Sequence, residues 1–361
     1  MICIFLPNFR GGGAERVSLD LAKAFKDLGQ EVEFVLIKAE GTFLAEALET
    51  FSVINLDSQK TRYATLPLSA YLRHRQPDAL IANMWPLTTV AVMSCILSRS
   101  QTRLLVIEHT VLSRCYSKWG WFHNLMMRLS LFVTCRMAHH VAAVSEGAAR
   151  DLASMARLVA DRVAVLHNPI PKRPKPSSQS IASAEHFWSC PPGRRLLSVG
   201  NIKAAKNYPL LLSAFAAQSN PDARLMILGS GDETKLKRLA SDLCVADRVI
   251  FAGFCNDPCP FYATADLFVL SSDYEGFGNV IVEALSFGLP VVSTNCRCGP
   301  AEILENGRWG RLVTVGDADA MARAIEAALS TPTDHEALIR RAADFAPEIA
   351  ARKYLELLGL S

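Results

Sequence analysis

The chain has 361 residues, about half of them apolar and a fifth charged, the profile of a soluble globular protein long enough for two domains of ordinary size. Its formal net charge is +3. The basic surplus lies in residues 1–170, with 18 Lys and Arg against 14 Asp and Glu, while residues 171–361 carry 20 against 21; a nucleic-acid binder shows a concentrated basic face, and so small an excess argues against one by charge alone.

The opening MICIFLPNF has no basic leader and no long apolar core of the secretory kind, so the ten cysteines are expected as free thiols in a cytoplasmic protein. MICIFLPN reads as a buried strand, GGGAERVSLDLAKAFKDLG as a loop opening an amphipathic helix that stops at Gly29, and EVEFVLI as the next strand, which makes a βαβ unit. Residues 79–98, ALIANMWPLTTVAVMSCILS, carry no charge and reach the roughly 20 residues a bilayer span needs. Asn83, Pro86, Thr88 and Thr89 would then face lipid, so a buried strand turning into a buried helix is the better reading. Further apolar runs at RLLVIEH, HVAAVSE and VAVLHN complete a doubly wound parallel sheet over residues 1–168. Residues 169–193, rich in Pro and Ser and without periodicity, read as an interdomain connection. Strands and helices then alternate again from RLLSVGN to LVTVG, a second doubly wound domain over 194–345. The tail 346–361 is helical in period, with a return onto the first domain as one candidate packing.

In open α/β sheets a ligand lies at the carboxyl ends of strands, where the amides opening the following helix face an anion. Three glycine stretches occupy such places: Gly11-Gly12-Gly13, Gly229-Ser230-Gly231 and Gly276-Phe277-Gly278. None is a dinucleotide fingerprint or a Walker A loop, and GGGAER by itself is equally well a flexible turn. The stretch SSDYEGFGNVIVEALSFGLPVVST, residues 271–294, is more informative. With a helix starting near Asn279, Glu283 lies one turn inside it and Glu275 in the loop before it. Two acceptor-only carboxylates flanking exposed amides suit the hydroxyls at the two ends of a sugar nucleotide, with its diphosphate between. The plainer reading makes Glu283 a solvent-facing helix residue and Glu275 a turn former.

Glu275-x7-Glu283, together with SVGNIKAAKNYPLLLSAF, GSGDETKLKRLA, VIFAGF, GGGAERV and GPAEILENGRWGRLV, resembles the retaining glycosyltransferases of family four over nearly the whole chain, and most of all bacterial members that build capsule, O-antigen or lipid-linked oligosaccharides. The resemblance implies the α/β GT-B fold, two Rossmann-like doubly wound domains facing each other across a cleft. It implies a nucleotide-sugar donor, here taken as UDP-linked, and no cofactor. It assigns Glu275 to the donor sugar, Glu283 to the ribose hydroxyls, and the amides of Phe277 and Gly278, between Gly276 and Asn279, to the diphosphate. Lys206 matches the family's phosphate-binding lysine, which offsets charge on the leaving diphosphate. The family's usual arginine is replaced by Asn201, with Lys203 as a candidate substitute. His109 matches a histidine facing the donor sugar, and Gly12 and Gly13 would bring backbone to the reacting centre, so that catalysis is assigned to His109, Lys206 and Glu275, and donor binding also to Gly229.

Asp317-Ala318-Asp319 has the spelling of a metal-binding D-x-D but precedes AMARAIEAAL, where an aspartate is expected as a helix cap. Cys255, Cys259, Cys296 and Cys298 lack the spacing of common zinc modules, so no metal is expected. Between Glu108 and Glu146 no acid occurs, while Arg114, Lys118, Arg128 and Arg136 alternate with Tyr116, Trp119, Trp121 and Phe122. Cations among interfacial aromatics suit an anionic inner-membrane surface, from which a glycan or polyprenyl-diphosphate-linked saccharide acceptor would be presented; the alternative is core packing with a solvated basic face. Two other classes share the fold, a sugar-nucleotide epimerase and a catalytically silent donor-binding partner.

Overall fold

The computed structural model describes residues 1–218 and 220–360, and these form two compact units: Met1–Pro171 together with the segment from Phe345 onward, and Lys172–Asp344. The first is built on strands β1 (Ile2–Leu6), β2 (Val32–Leu36), β3 (Ser52–Asn55), β4 (Ala79–Asn83), β5 (Arg103–Glu108), β6 (His140–Ala143) and β7 (Ala164–Val165), in the order β3-β2-β1-β4-β5-β6-β7. The second carries β8 (Arg195–Val199), β9 (Arg224–Leu228), β10 (Val249–Gly253), β11 (Leu267–Leu270), β12 (Val291–Thr294) and β13 (Arg311–Val313), in the order β10-β9-β8-β11-β12-β13. All paired strands run parallel. A parallel sheet is covered by helices on both faces, so its strands are largely apolar; β1, β2 and β4 are buried at every position, the buried Glu33 of β2 being held by Tyr71 and Arg75.

The order in each sheet reverses once, between β1 and β4 and between β8 and β11. At such a switch the two adjacent loops diverge and leave a crevice at the carboxyl edge. In the second unit these loops are 200–206 and 271–278, which hold Lys206 and Glu275.

The uncharged stretch 79–98 is β4 followed by the helix Leu87–Ser98. Strand β3 is half exposed at the sheet edge, too short and polar to stand out in the sequence. The segment expected as a bare connection contains the helix Ser178–Trp188, capped by the Ser177 hydroxyl. Trp188 is fully buried, donates from Nε1 to Thr264 Oγ1 at 2.9 Å and lies beneath the Arg195 guanidinium, so residues 178–188 belong to the second unit. Only Ala184 and Trp188 of this helix are buried, which is why no apolar period announces it. The tail helix Pro347–Leu358 packs on the helix Gly13–Asp27 of the first unit, with the Phe25 and Tyr354 rings 6.1 Å apart and Arg103 Nη1 donating to Gly359 O at 2.7 Å. Ser361, the last residue of the expected tail, lies outside the described residues.

Candidate active site

Lys206 ends a 3₁₀ turn after β8, and three hydrogen bonds tie that turn to the loop after β11. Asp273 N donates to Ala205 O at 2.8 Å, Ser271 Oγ to Lys206 O at 2.7 Å, and Asn207 Nδ2 to Asp273 Oδ1 at 2.7 Å. Asn207 adopts a left-handed backbone (φ 44°) and its carbonyl oxygen caps the next helix at Leu210 N. Two loops from non-consecutive strands are thereby fixed to each other. The result is a short ion pair: Lys206 Nζ lies 2.7 Å from Glu275 Oε1, which also accepts from Ser272 Oγ at 2.6 Å. The two side chains retain 19% and 14% of their exposure, so the pair is largely withdrawn from water, where charge-assisted bonds are strongest. Glu275 Oε2 takes no hydrogen bond among the described residues.

Glycines set the spacing around this pair. A Cβ on Gly200 would fall 2.7 Å from Lys206 Cε, and one on Gly229 would fall 2.1 Å from Gly200 O. Backbone thus replaces side chain so that the lysine stem and two loops fit together. The loop 275–278 is pressed on a neighbour in the same way: a Cβ on Gly299 would reach within 1.5 Å of the Phe277 carbonyl oxygen. Gly278 opens the helix Asn279–Ser286 with φ 101°, a left-handed conformation that a side chain disfavours. Phe277 is buried, anchoring the loop from within.

Glu283 is not a solvent-facing helix residue. Its Oε2 accepts from the Tyr262 hydroxyl at 3.0 Å and its Oε1 lies 4.0 Å from Arg173 Nη2. Burial, reinforced by Glu283, holds the Tyr262 phenol protonated far above its ordinary range. Tyr262 also stacks on Phe287 at 5.7 Å, which fixes the phenol that orients the carboxylate. Sequence reasoning missed Ser272, Tyr262, Arg173, Gly200 and Gly299; Tyr262, Arg173 and Gly299 gain their places through contacts with distant segments, while Ser272 and Gly200 act on Glu275 and Lys206 nearby in the chain through loop geometry that has no periodic signal.

Asn201 is exposed, and its Oδ1 accepts from both the amide and hydroxyl of Ser230, at 3.2 and 3.0 Å. It braces the glycine stretch after β9. Lys203 is exposed and has no carboxylate within ion-pair distance among the described residues. Asp317 is a helix cap, its Oδ1 accepting from Ala320 N at 2.8 Å. No group of three or more His, Cys, Asp and Glu side chains is placed to hold a metal ion among the described residues.

In the first unit, His109 follows β5, and its Nε2 lies 2.8 Å from Asn83 Oδ1 at the end of β4. An amide oxygen only accepts, so Nε2 carries the proton and Nδ1 keeps its lone pair, buried without a partner among the described residues. Burial pushes the His109 pKa down to about 4, and the imidazole is neutral at pH 7. The adjacent Glu108 is also buried, with no well-aligned side-chain partner for its oxygens among the described residues; burial pushes its pKa up to about 8 against a small opposing pull from the Trp85 backbone amide. Gly12 precedes the helix Gly13–Asp27 and has Glu15 beside it, while nothing crowds Gly13.

The helix Trp121–Met137 buries Met127, Leu131, Thr134 and Cys135, half-buries Asn124 and Ser130, and turns the rest outward. Trp121, Leu125, Leu129, Val133 and Met137, each four residues from the next, are all exposed, and Trp121 is 78% so. Arg114, Lys118, Trp119 and Arg128 are exposed with them. No helix among the described residues is long and apolar enough to cross a membrane.

Two doubly wound units, with a lysine and two carboxylates at the switch of the second, define a glycosyltransferase of the GT-B fold. Residues 191–345 match the family model described as Glycosyl transferases group 1, and residues 11–173 match Glycosyltransferase Family 4. The chain is a glycosyltransferase built of a Family 4 domain followed by a group 1 domain, the two matches together spanning most of its length. It is 38% identical over 173 residues to a lipopolysaccharide core biosynthesis glycosyltransferase of Rhizobium meliloti, a match spanning 45% of this chain and about half (49%) of that relative. Over 337 residues it is 26% identical to the N-acetylgalactosamine-N,N'-diacetylbacillosaminyl-diphospho-undecaprenol 4-alpha-N-acetylgalactosaminyltransferase of Campylobacter jejuni, covering 90% of this chain and 89% of the relative. Among solved structures, the Anabaena protein HepE in complex with UDP and glucose superposes with a TM-score of 0.84 at 22% identity, covering 99% of each chain.

Proposed function

We propose that this glycosyltransferase moves a hexose or N-acetylhexosamine, with retention of anomeric configuration, from a UDP-linked donor to a glycan or a polyprenyl-diphosphate-linked saccharide in the assembly of bacterial surface polysaccharide or lipid-linked oligosaccharide. The observation that carries the donor half is the Lys206–Glu275–Ser272 cluster at the switch of the second sheet, with the Glu283–Tyr262 pair one turn into the helix that follows its loop. Lys206 Nζ has further protons to offer a diphosphate, and its bond to Glu275 Oε1 holds it in place. As the glycosidic bond breaks, charge accumulates on the leaving diphosphate, and an ammonium already in place stabilises it without reorganisation. Glu275 Oε2 receives a sugar hydroxyl, and Glu283 the vicinal hydroxyls of the ribose, a geometry that two-oxygen acceptors favour. His109 offers Nδ1 as an acceptor to a substrate hydroxyl. The reaction runs without a metal ion, Lys206 and helix amides acting on the phosphates.

The acceptor half rests on the helix Trp121–Met137. Its outward apolar stripe, flanked by Arg114, Lys118 and Arg128, suits the anionic cytoplasmic face of an inner membrane, where a lipid-linked acceptor would be met. The name of the Campylobacter relative, whose acceptor is linked to diphospho-undecaprenol, supports a lipid-linked acceptor.

Thermal shift and turnover test the donor half together. UDP raises the melting temperature of the wild-type chain, since a ligand confined to the folded state stabilises it. Glu283→Ala abolishes that rise. Lys206→Ala preserves it but lowers transfer roughly a hundredfold to a thousandfold, the usual cost of removing a donor aimed at developing charge. Retention of full turnover by Lys206→Ala would overturn the assignment.

A further inference from the structure

The first unit contains a cavity of about 540 Å³ that neither the donor cluster nor the outward stripe uses, within the range of about 300–1,000 Å³ typical of small-ligand sites. Val90, of the helix Leu87–Ser98, and Met127, of the helix Trp121–Met137, are buried and form its depth. Trp85 lies between, its Nε1 donating to Ser130 Oγ at 2.9 Å and its ring edge-on to Tyr116 and Trp119 at 5.3 and 5.7 Å. The exposed lining residues Trp119 and Met126 mark its opening. Met126 neighbours Leu125 and lies three residues from Leu129, so the apolar lining continues into the helix's outward stripe. Methionine thioethers and indole faces accommodate an irregular apolar body.

The same opening is cationic. Lys60 and Arg62 line it, both exposed and neither with a carboxylate within ion-pair distance among the described residues. Arg62 donates to Tyr63 Oη at 3.1 Å and lies 5.0 Å over its ring, which holds the guanidinium in place. Residues 58–145 contain ten Lys and Arg but only two acids, Asp78 and Glu108. Asp78 pairs with the amino terminus, Glu108 is buried, and the exposed Asp57 just before this stretch forms no ion pair with Lys60 or Arg62 among the described residues. An apolar depth, an apolar path to the exposed stripe and an unanswered cationic rim fit one ligand: a hydrocarbon chain ending in phosphate.

We propose that this cavity binds the phosphate-proximal isoprenoid units of the lipid-linked acceptor, with Lys60 and Arg62 on its phosphates and Trp85, Val90 and Met127 against its first branched units. The assignment rests on the reading of the acceptor as polyprenyl-linked. It places the recognition of the lipid, as distinct from its sugar, within the first unit.

Calorimetric titration of the full chain with geranyl diphosphate below its micelle concentration tests it. Binding is expected, with geraniol and inorganic diphosphate each at least about tenfold weaker, because each keeps only one half of the contacts. Thr89→Phe, which fills the cavity, and Met126→Asp, at a 48% exposed position, should each weaken geranyl diphosphate about tenfold or more. Lys60→Glu with Arg62→Glu should weaken geranyl diphosphate and leave geraniol unchanged. A preserved UDP thermal shift in each variant establishes that it is folded. Equal binding of geranyl diphosphate by wild type and all variants would overturn the site, as would equal affinity for lauryl phosphate or inorganic diphosphate. Transfer to a polyprenyl-linked acceptor separates the two levels. Undiminished transfer by Thr89→Phe and by Met126→Asp sinks the cavity while the acceptor reading stands, whereas specific geranyl diphosphate binding without any transfer by wild type sinks the acceptor reading and leaves the cavity.

Discussion

Glu108 and His109 are neighbours whose burial drives their proton affinities in opposite directions. Glu108 keeps its proton up to about pH 8 in the fold and loses it near pH 4 in the unfolded chain. Across that window the folded state binds the extra proton, so this group's contribution to stability falls as pH rises. His109 stays neutral down to about pH 4, whereas a free imidazole charges near pH 6.5; its contribution falls as pH drops through that interval. Glu108→Gln keeps the shape and removes the ionisation. Its melting temperature relative to wild type should rise from pH 5 to pH 8, by several degrees for a unit of this size, as thermal melts at three pH values will read. A constant offset at all pH values would contradict a carboxyl whose proton is held by burial. In the sequence, His109 was visible through its resemblance to a histidine facing the donor sugar, and Glu108 only as a strand end. Which imidazole nitrogen holds the proton is decided by Asn83, 26 residues away.

At the scale of elements, loops and helix faces carry the site. Gly299 illustrates a loop: the Phe277 carbonyl occupies the space of its missing side chain, and φ 91° is unfavourable for any residue with a Cβ. Gly299→Ala must shift the loop 275–278, so the UDP thermal shift should shrink strongly even where the chain still melts cooperatively. An unchanged shift would show that this loop does not hold the donor. The helix Trp121–Met137 illustrates a face. Its charge and aromatic pattern were readable, because a period of about 3.6 residues makes an i, i+4 row a single stripe. Whether that stripe was core or surface was not readable, since inward and outward apolar rows look alike in sequence. Anionic vesicles should sediment the wild-type chain, and Arg114→Glu, Lys118→Glu and Arg128→Glu together should abolish this at physiological salt, each cation near an anionic leaflet contributing about 1 kcal/mol. Vesicle binding indifferent to the three reversals would remove the membrane proposal.

For the molecule as a whole, the chain completes its first unit only with its last segment. Residues from Phe345 return to it through Ile170 N donating to Phe345 O at 2.9 Å and through the packing of Tyr354 on Phe25. Removing residues 347–361 should therefore uncover the helix Gly13–Asp27 and lower hydrogen-exchange protection in the first sheet, while protection of β8, β9 and β11 is retained. Equal loss in both sheets would mean that the two units do not hold separate cores.

Alternation of short apolar runs with amphipathic helices was enough to specify two parallel doubly wound sheets, because strands covered on both faces are largely apolar and the periods of strand and helix differ. The glutamates of the 271–294 stretch were legible for a related reason: their spacing around a glycine-opened helix is local. The Lys206–Glu275 bond, the Tyr262 hydroxyl on Glu283, the helix within the expected connection and the cavity beneath Trp85 were decided by tertiary structure. Each depends on which distant segments the sheet order makes adjacent, and a hydrogen bond across 69 residues, as between Lys206 and Glu275, leaves no periodic trace in the chain that makes it.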